Sequence, residues 1–273
     1  VLQRFELSNF RIAAKKCIVG AKELPFLGFT ISHLGLKQNP AKTAAIDVME
    51  APTNVTELKS ILGMASYYSR FIAGFSVVCY PLYQLLKKYI PFIWTEEHET
   101  ALTTIKRILA SDQVMAYPDY TKSFIVATDA SSHGLSFCLM QEGENGVRPI
   151  SFGGRSLQGA ENKYSIVELE ALTVVLAIRY YSSYLSNGKP FKILTDNRAL
   201  IYVYQGYHKT KNPKLLRYSL ELQGRDYEIS HVPGAQHSHV DAISRFPYRW
   251  LNRLEGTQKK FNARAVEDME ETC

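Results

Sequence analysis

Residues 124–134, FIVATDASSHG, carry an apolar, largely β-branched strand straight into a carboxylate, Asp129, and then into small residues. A lone charge at the end of a buried strand is costly unless it is paired or bound to a metal. The stretch FKILTDN, 191–197, repeats the design: an apolar run, a threonine, then Asp196. If these two strands lie side by side, their acids meet. That constrains the fold more than any other feature of the chain, because it asks for neighbouring strands whose acidic tips point the same way.

The period of the hydrophobic residues supplies the rest of the frame. Strands are expected near 124–129, 135–141, 147–152, 191–195 and 227–232, with a long helix at 164–185 and shorter ones near 197–204, 211–223 and 238–244. Three strands joined by tight turns make an antiparallel meander, and strands that return after helices add in parallel. An α/β fold follows, with a mixed five-stranded sheet flanked by helices. Upstream, 25–35 reads as a strand pair around a Gly turn, followed by a helical region. There Pro40 and Pro52 mark helix starts, and Asn54 or Thr56 caps a helix burying Leu58, Ile61, Leu62, Ala65 and Tyr68. A second amphipathic helix, 96–110, aligns Ala101, Ile105 and Leu109, and 111–123 reads as a linker. The tail, 248–273, has no apolar period and is expected to be disordered.

Composition narrows the function classes. With 273 residues, 46% hydrophobic and 21% charged, the chain has enough apolar material for one large or two ordinary cores. No apolar run reaches the ~20 residues of a membrane span, so no membrane partner is expected. The four cysteines have no metal-ligand spacing and fit free thiols in a reducing compartment. The net charge of +6 is concentrated toward the N-terminus, where residues 1–110 hold 13 Lys and Arg against 8 Asp and Glu. Such a face serves a polyanion, although a solvated basic surface gives the same count.

Two further acids join the pair. Glu170 lies in the long helix beside an apolar stripe of Leu169, Leu172, Val175 and Leu176, with Glu168 competing for the same role, and Asp241 opens the short helix DAISRF. Each alone is ordinary: an Asp caps a turn, a Glu faces water. Four together repel one another and call for divalent cations, and an all-oxygen ligand set favours Mg²⁺ or Mn²⁺.

The order TDAS, YSIVELEAL, TDNRAL, HVDAISRFP resembles the ribonuclease H domain of reverse transcriptases from gypsy-like (Metaviridae) LTR retrotransposons. Upstream, KKCIVGAKELPFLGFTIS, PTNVTELKSILGMASYYSRFI, PLYQLLKK and FIWTEEHETAL resemble the end of palm, primer grip and thumb of the same polyproteins. The resemblance implies a palm end with its hairpin at 1–40, a thumb-like region at 41–115 and a ribonuclease H domain at 116–247. It makes Asp129, Glu170, Asp196 and Asp241 the catalytic metal ligands. Glu170 is favoured over Glu168 because Thr173, Val174, Ala177 and Ile178 fill the small and aliphatic places the family has beyond its glutamate. Two ions, Mg²⁺ with Mn²⁺ as substitute, are implied: Asp129 bridges both, Glu170 and Asp196 hold mainly one, Asp241 mainly the other. The implied substrate is the RNA strand of an RNA/DNA hybrid, cut to 5′-phosphate and 3′-hydroxyl ends.

Nucleic-acid contacts are implied for Phe26, Leu27 and Gly28 of the primer-grip hairpin and for Lys59, Tyr67 and Arg70 of the thumb. A basic run, Lys209, Lys211, Lys214 and Arg217, offers a phosphate track, and His237 or His239 a possible aid to turnover. Ser136 stands where the family has a second Gly, and Val240 where it has Ala. No YxDD acidic pair is present, so no polymerase activity is expected from this chain alone. A rival expectation is a non-catalytic nucleic-acid-binding or structural subunit. Expected partners are hybrid, template–primer duplex and the remaining polymerase portion or a second reverse transcriptase chain. The resemblance places the protein in the cytoplasm, in virus-like particles, with the nucleus as alternative.

Overall fold

The computed structural model describes residues 2–232, apart from 14, 16, 48, 112, 145 and 206–210. Asp241, Val240, His237, His239, Lys209, the helix expected at 238–244 and the tail from 248 therefore lie outside the described residues. A short exposed helix, α1 (Leu2–Leu7), comes first. Three antiparallel strands follow, β1 (Glu23–Phe26), β2 (Phe29–Ser32) and β3 (Gly35–Gln38). The expected strand pair thus has a third member. Gly35 opens it at φ +140°, and a Cβ there would lie 2.2 Å from the Met115 carbonyl oxygen.

That approach also overturns the reading of 111–123 as a linker. Leu36 and Met115 exchange both backbone hydrogen bonds, at 2.9 and 2.8 Å, and Met115 is buried. Gln141 completes the anchorage, accepting from Asp119 N at 2.9 Å and donating to Asp119 O at 2.8 Å. The segment is polar because its backbone is held by side chains and a distant strand.

Helices α2 (Pro40–Asp47), α3 (Val55–Tyr67), α4 (Phe75–Val78), α5 (Tyr80–Gln84) and α6 (Glu96–Leu109) form the helical region. Asn54 is the cap of α3, its side chain accepting from Glu57 N at 3.0 Å, and the expected face, Leu58, Ile61, Leu62 and Ala65, is buried with Tyr68. Then come β4 (Ile125–Ala130), β5 (Gly134–Gly143), β6 (Gly146–Ser156), α7 (Ile166–Tyr180), α8 (Ser182–Leu185), β7 (Phe191–Thr195), α9 (Arg198–Gln205), α10 (Pro213–Glu221) and β8 (Tyr227–His231). The sheet order is β6-β5-β4-β7-β8, antiparallel through the meander and parallel at β4–β7 and β7–β8, as expected. The long helix breaks at Tyr181, which leaves α8 as a separate turn.

Alternation along β4 divides the core in two. Phe124, Val126 and Ala130 pack with Leu135, Phe137, Leu139 and α7 on one face. Ile125 and Ala127 join Cys138, Met140 and Phe152 on the other, against Leu58, Phe71, Leu82 and Ile105 of the helical region. Sheet and upstream helices therefore share one apolar layer. With the sheet beneath it and α9 and α10 beside it, α7 is buried on nearly every side, which explains why its apolar residues exceed a single stripe.

Candidate metal centre

The repeated strand ends meet because of register. In the parallel pair β4–β7, Ala127 stands opposite Leu194. Two residues beyond each partner are Asp129 and Asp196, so both acids reach the same level at the same end of the sheet, on the same side by the pleat. Glu170 comes from the second turn of α7, and its Oε1 accepts from Ala130 N at 3.2 Å. That bond ties the helix to the tip of β4. One carboxylate oxygen from each of Asp129, Glu170 and Asp196 lies within 4.8 Å of the other two. Asp129 and Glu170 are buried and Asp196 is half-buried. Three anionic groups at this separation form an all-oxygen donor set suited to a hard divalent cation.

Glu168, the rival glutamate, points elsewhere. Its carboxylate accepts from Ser165 N at 2.9 Å, Ser165 Oγ at 3.1 Å and Asn212 Nδ2 at 3.1 Å, and pairs with Lys214 Nζ at 3.3 Å. With Ser165 it forms the capping box of α7. The Ser165 backbone bond first, then the Asn212 amide, draw its pKa down to about 2 against the opposing effect of burial. Glu168 is a structural cap, and Glu170 is the helical acid of the cluster.

Residues 94–193 match the family described as the RNase H-like domain found in reverse transcriptase. Over these residues the chain carries an RNase H-like domain of the reverse-transcriptase kind. It is 32% identical over 265 residues to the retrovirus-related Pol polyprotein from transposon opus of Drosophila melanogaster, a match covering 93% of this chain and 26% of that protein. It is 31% identical to the transposon Tf2-3 polyprotein of Schizosaccharomyces pombe, covering 90% of this chain and 18% of that one. The chain thus spans about a quarter or less of the length of these relatives. Foamy viral protease–reverse transcriptase solved with RNA/DNA hybrid shares the fold, at 22% identity and TM-score 0.64, covering 80% of this chain and 30% of that one. The same protein with dsDNA gives 23% identity and TM-score 0.65, covering 78% and 45%.

Around the RNase H-like sheet, Ser136 stands directly opposite Asp129 in the β4–β5 ladder and is fully buried. Its hydroxyl has no hydrogen-bond partner among the described residues. Further out, the basic track divides. Lys211 and Arg217 are exposed, whereas Lys214 is drawn inward by Glu168 and by the Tyr164 ring, 3.7 Å from its centroid. Lys214 thus sits beside the first turn of α7, the helix that carries Glu170.

The residues of the upstream hairpin hold one another. Leu27 and Gly28, at φ +47° and +77°, form its turn. Tyr67 Oη donates to Leu27 O, and Tyr68 Oη to Gly28 O at 3.0 Å. Phe29 stacks on Tyr67 with centroids 5.2 Å apart. A Cβ on Gly28 would meet Tyr68 Oη at 3.1 Å, so the close approach at this glycine is to α3 and its C-cap. Phe26 and Leu27 remain exposed, as does Lys59, and Arg70 is half-buried on the turn after α3.

One residue of the site was not foreseen. His231, the last residue of β8, sets Nε2 3.1 Å from the backbone oxygen of Asp196. The signal available was a histidine ending a strand that pairs with the strand of an acid. That pairing is visible only once the sheet order is known.

Proposed function

We propose that this chain hydrolyses the RNA strand of RNA/DNA hybrids with divalent metal, as the ribonuclease H and thumb-like portion of a retroelement reverse transcriptase. The observation that carries the reading is the convergence of Asp129, Glu170 and Asp196, from two parallel strands and a helix, within 4.8 Å. The family supports it, and so does the fold shared with an enzyme solved on RNA/DNA hybrid. Asp129, Glu170 and Asp196 would hold Mg²⁺ or Mn²⁺, which would supply activated water and charge neutralisation at a scissile phosphate. Asp129 comes from the central strand of the sheet, and Glu170 accepts from Ala130 N. Of the three described acids Asp196 is the most accessible. Asp241 completes the set in this reading. Lys211 and Arg217 then contact phosphates of the duplex, and the 2′-hydroxyl marks the strand to be cut as RNA. The division into a palm end at 1–40, thumb at 41–115 and nuclease at 116–247 is part of the same proposal.

The test is cleavage of an end-labelled RNA/DNA hybrid with Mg²⁺ or Mn²⁺ by the parent chain, D129N and D196N. Cutting by the parent alone supports the reading. Binding of hybrid without cutting by the parent, or equal cutting by all three, overturns it.

A further inference from the structure

We propose that His231 is a positioning residue for Asp196, and that it sets the metal affinity of the cluster by fixing the peptide that carries this carboxylate. The proposal rests on the nuclease reading above. Asp196 is the first residue beyond β7, so strand pairing no longer holds its backbone. The last rung of the parallel ladder is Thr195 opposite His231. From that rung, hydrogen bonds among the described residues hold the polypeptide around Asp196. Val232 N donates to Thr195 O at 3.0 Å, and Asn197 N donates to Thr195 Oγ1 at 3.1 Å. The third is the imidazole, with Nε2 3.1 Å from Asp196 O. A carbonyl oxygen can only accept, so Nε2 carries the proton in this contact.

The first bond fixes the peptide that precedes Asp196. The second and third act on the peptide that follows it, Thr195 Oγ1 holding its N–H and His231 its carbonyl oxygen, so the imidazole closes that peptide from the side the turn leaves open. Rotation of that peptide swings Cα–Cβ, and with it the carboxylate, relative to Asp129 and Glu170. Those two are buried in the sheet and helix and cannot follow. Groups that orient a metal ligand without touching the ion typically govern affinity by tenfold or more. His231 also contributes little to the core: it is half-buried, and Ile229 is the buried apolar residue of β8. A role confined to packing would therefore leave metal binding alone.

The experiment compares Mn²⁺ binding by calorimetry, with the whole chain, for the parent, H231F, H231Q and D196N. H231F keeps a planar ring and loses the donor. H231Q places an amide N–H near the position of Nε2. The expected result is a Mn²⁺ dissociation constant raised about tenfold in H231F and within about twofold of the parent in H231Q. Thermal unfolding without metal should be unchanged in both, and hybrid cleavage should show kcat reduced in H231F at constant KM. Parent-like Mn²⁺ affinity in H231F, or H231Q as weak as H231F, overturns the proposal while D196N, having lost binding, leaves the nuclease site standing. If the parent binds no Mn²⁺, the nuclease reading fails and this inference falls with it.

Discussion

Two glutamates of α7, two residues apart, end in opposite surroundings. Around Glu168 the fold gathers donors: Ser165 N and Oγ, the Asn212 amide and the Lys214 ammonium. Around Glu170 it gathers further acids, Asp129 and Asp196. Both side chains are buried. The first region is electrostatically complete and stabilises the junction of α7 with α10. The second brings three carboxylates within 4.8 Å of one another, an all-oxygen donor set of the kind a cation site requires. Burial of a carboxylate thus says nothing of its role; the sign of its neighbours does.

The sharpest way to break this contrast is to neutralise one glutamate at a time. E170Q should lower hybrid cleavage about a hundredfold or more, exceeding the loss typical of residues one step removed from a metal. In metal-free buffer the same variant should be at least as stable as the parent in a urea melt, because a like charge has been removed. E168Q should do the reverse. It weakens charge-assisted bonds at a helix start, so unfolding free energy should fall by about 1–3 kcal/mol while Mn²⁺ affinity stays near the parent's. If E168Q loses metal binding and E170Q only stability, the assignment of the two roles is inverted.

Acid sharpens the comparison further. The Glu168 carboxyl is held near 2 in the fold, against 4.5 for an unperturbed glutamate. A depressed folded pKa gives stability that is present above the unfolded value and is lost as pH falls through the folded one. The stability gap between parent and E168Q should therefore be full above about pH 4.5 and close progressively toward pH 2. Denaturant melts at stepped pH check this; a gap independent of pH would place the effect in helix packing instead of charge.

The same contrast shows how far the sequence could be read. The TD endings of β4 and β7 announced paired acids because threonine and aspartate follow an apolar run in both, and parallel register then needs no further information. The mixed sheet was legible for the same reason: alternation and turn spacing are local. The resemblance favoured Glu170 over Glu168, but the physical reason for the choice is not local. It depends on Asn212 and Lys214, more than 40 residues away, which reach Glu168 only after α10 packs on α7. Met115 and Gly35 were missed likewise, since a polar connection becomes ordered only through a bridge to β3. His231 gave no warning, because its partner is a backbone carbonyl.

The smallest effect tests whether the Glu168 side of the comparison needs its cation at all. Lys214 is 40% exposed, so its ion pair with Glu168 is largely screened. The Tyr164 ring beneath the ammonium, at 3.7 Å, adds a cation–π contact that is also partly solvated. K214M keeps the apolar stem over the ring and removes only the charge, so it should cost a few tenths to about 1 kcal/mol, less than E168Q. Asn212 and Ser165 would still satisfy the carboxylate, which is why Glu168 should remain ionised at neutral pH in this variant. Equal losses in K214M and E168Q would mean that the ammonium, and not the capping box, holds the start of α7. Hybrid binding separates a second contribution: Lys214, drawn to Glu168, should matter less to affinity than the exposed Lys211 or Arg217. A salt titration of hybrid binding by K214M, K211M and R217M ranks them directly, with the slope against log salt unchanged only in K214M.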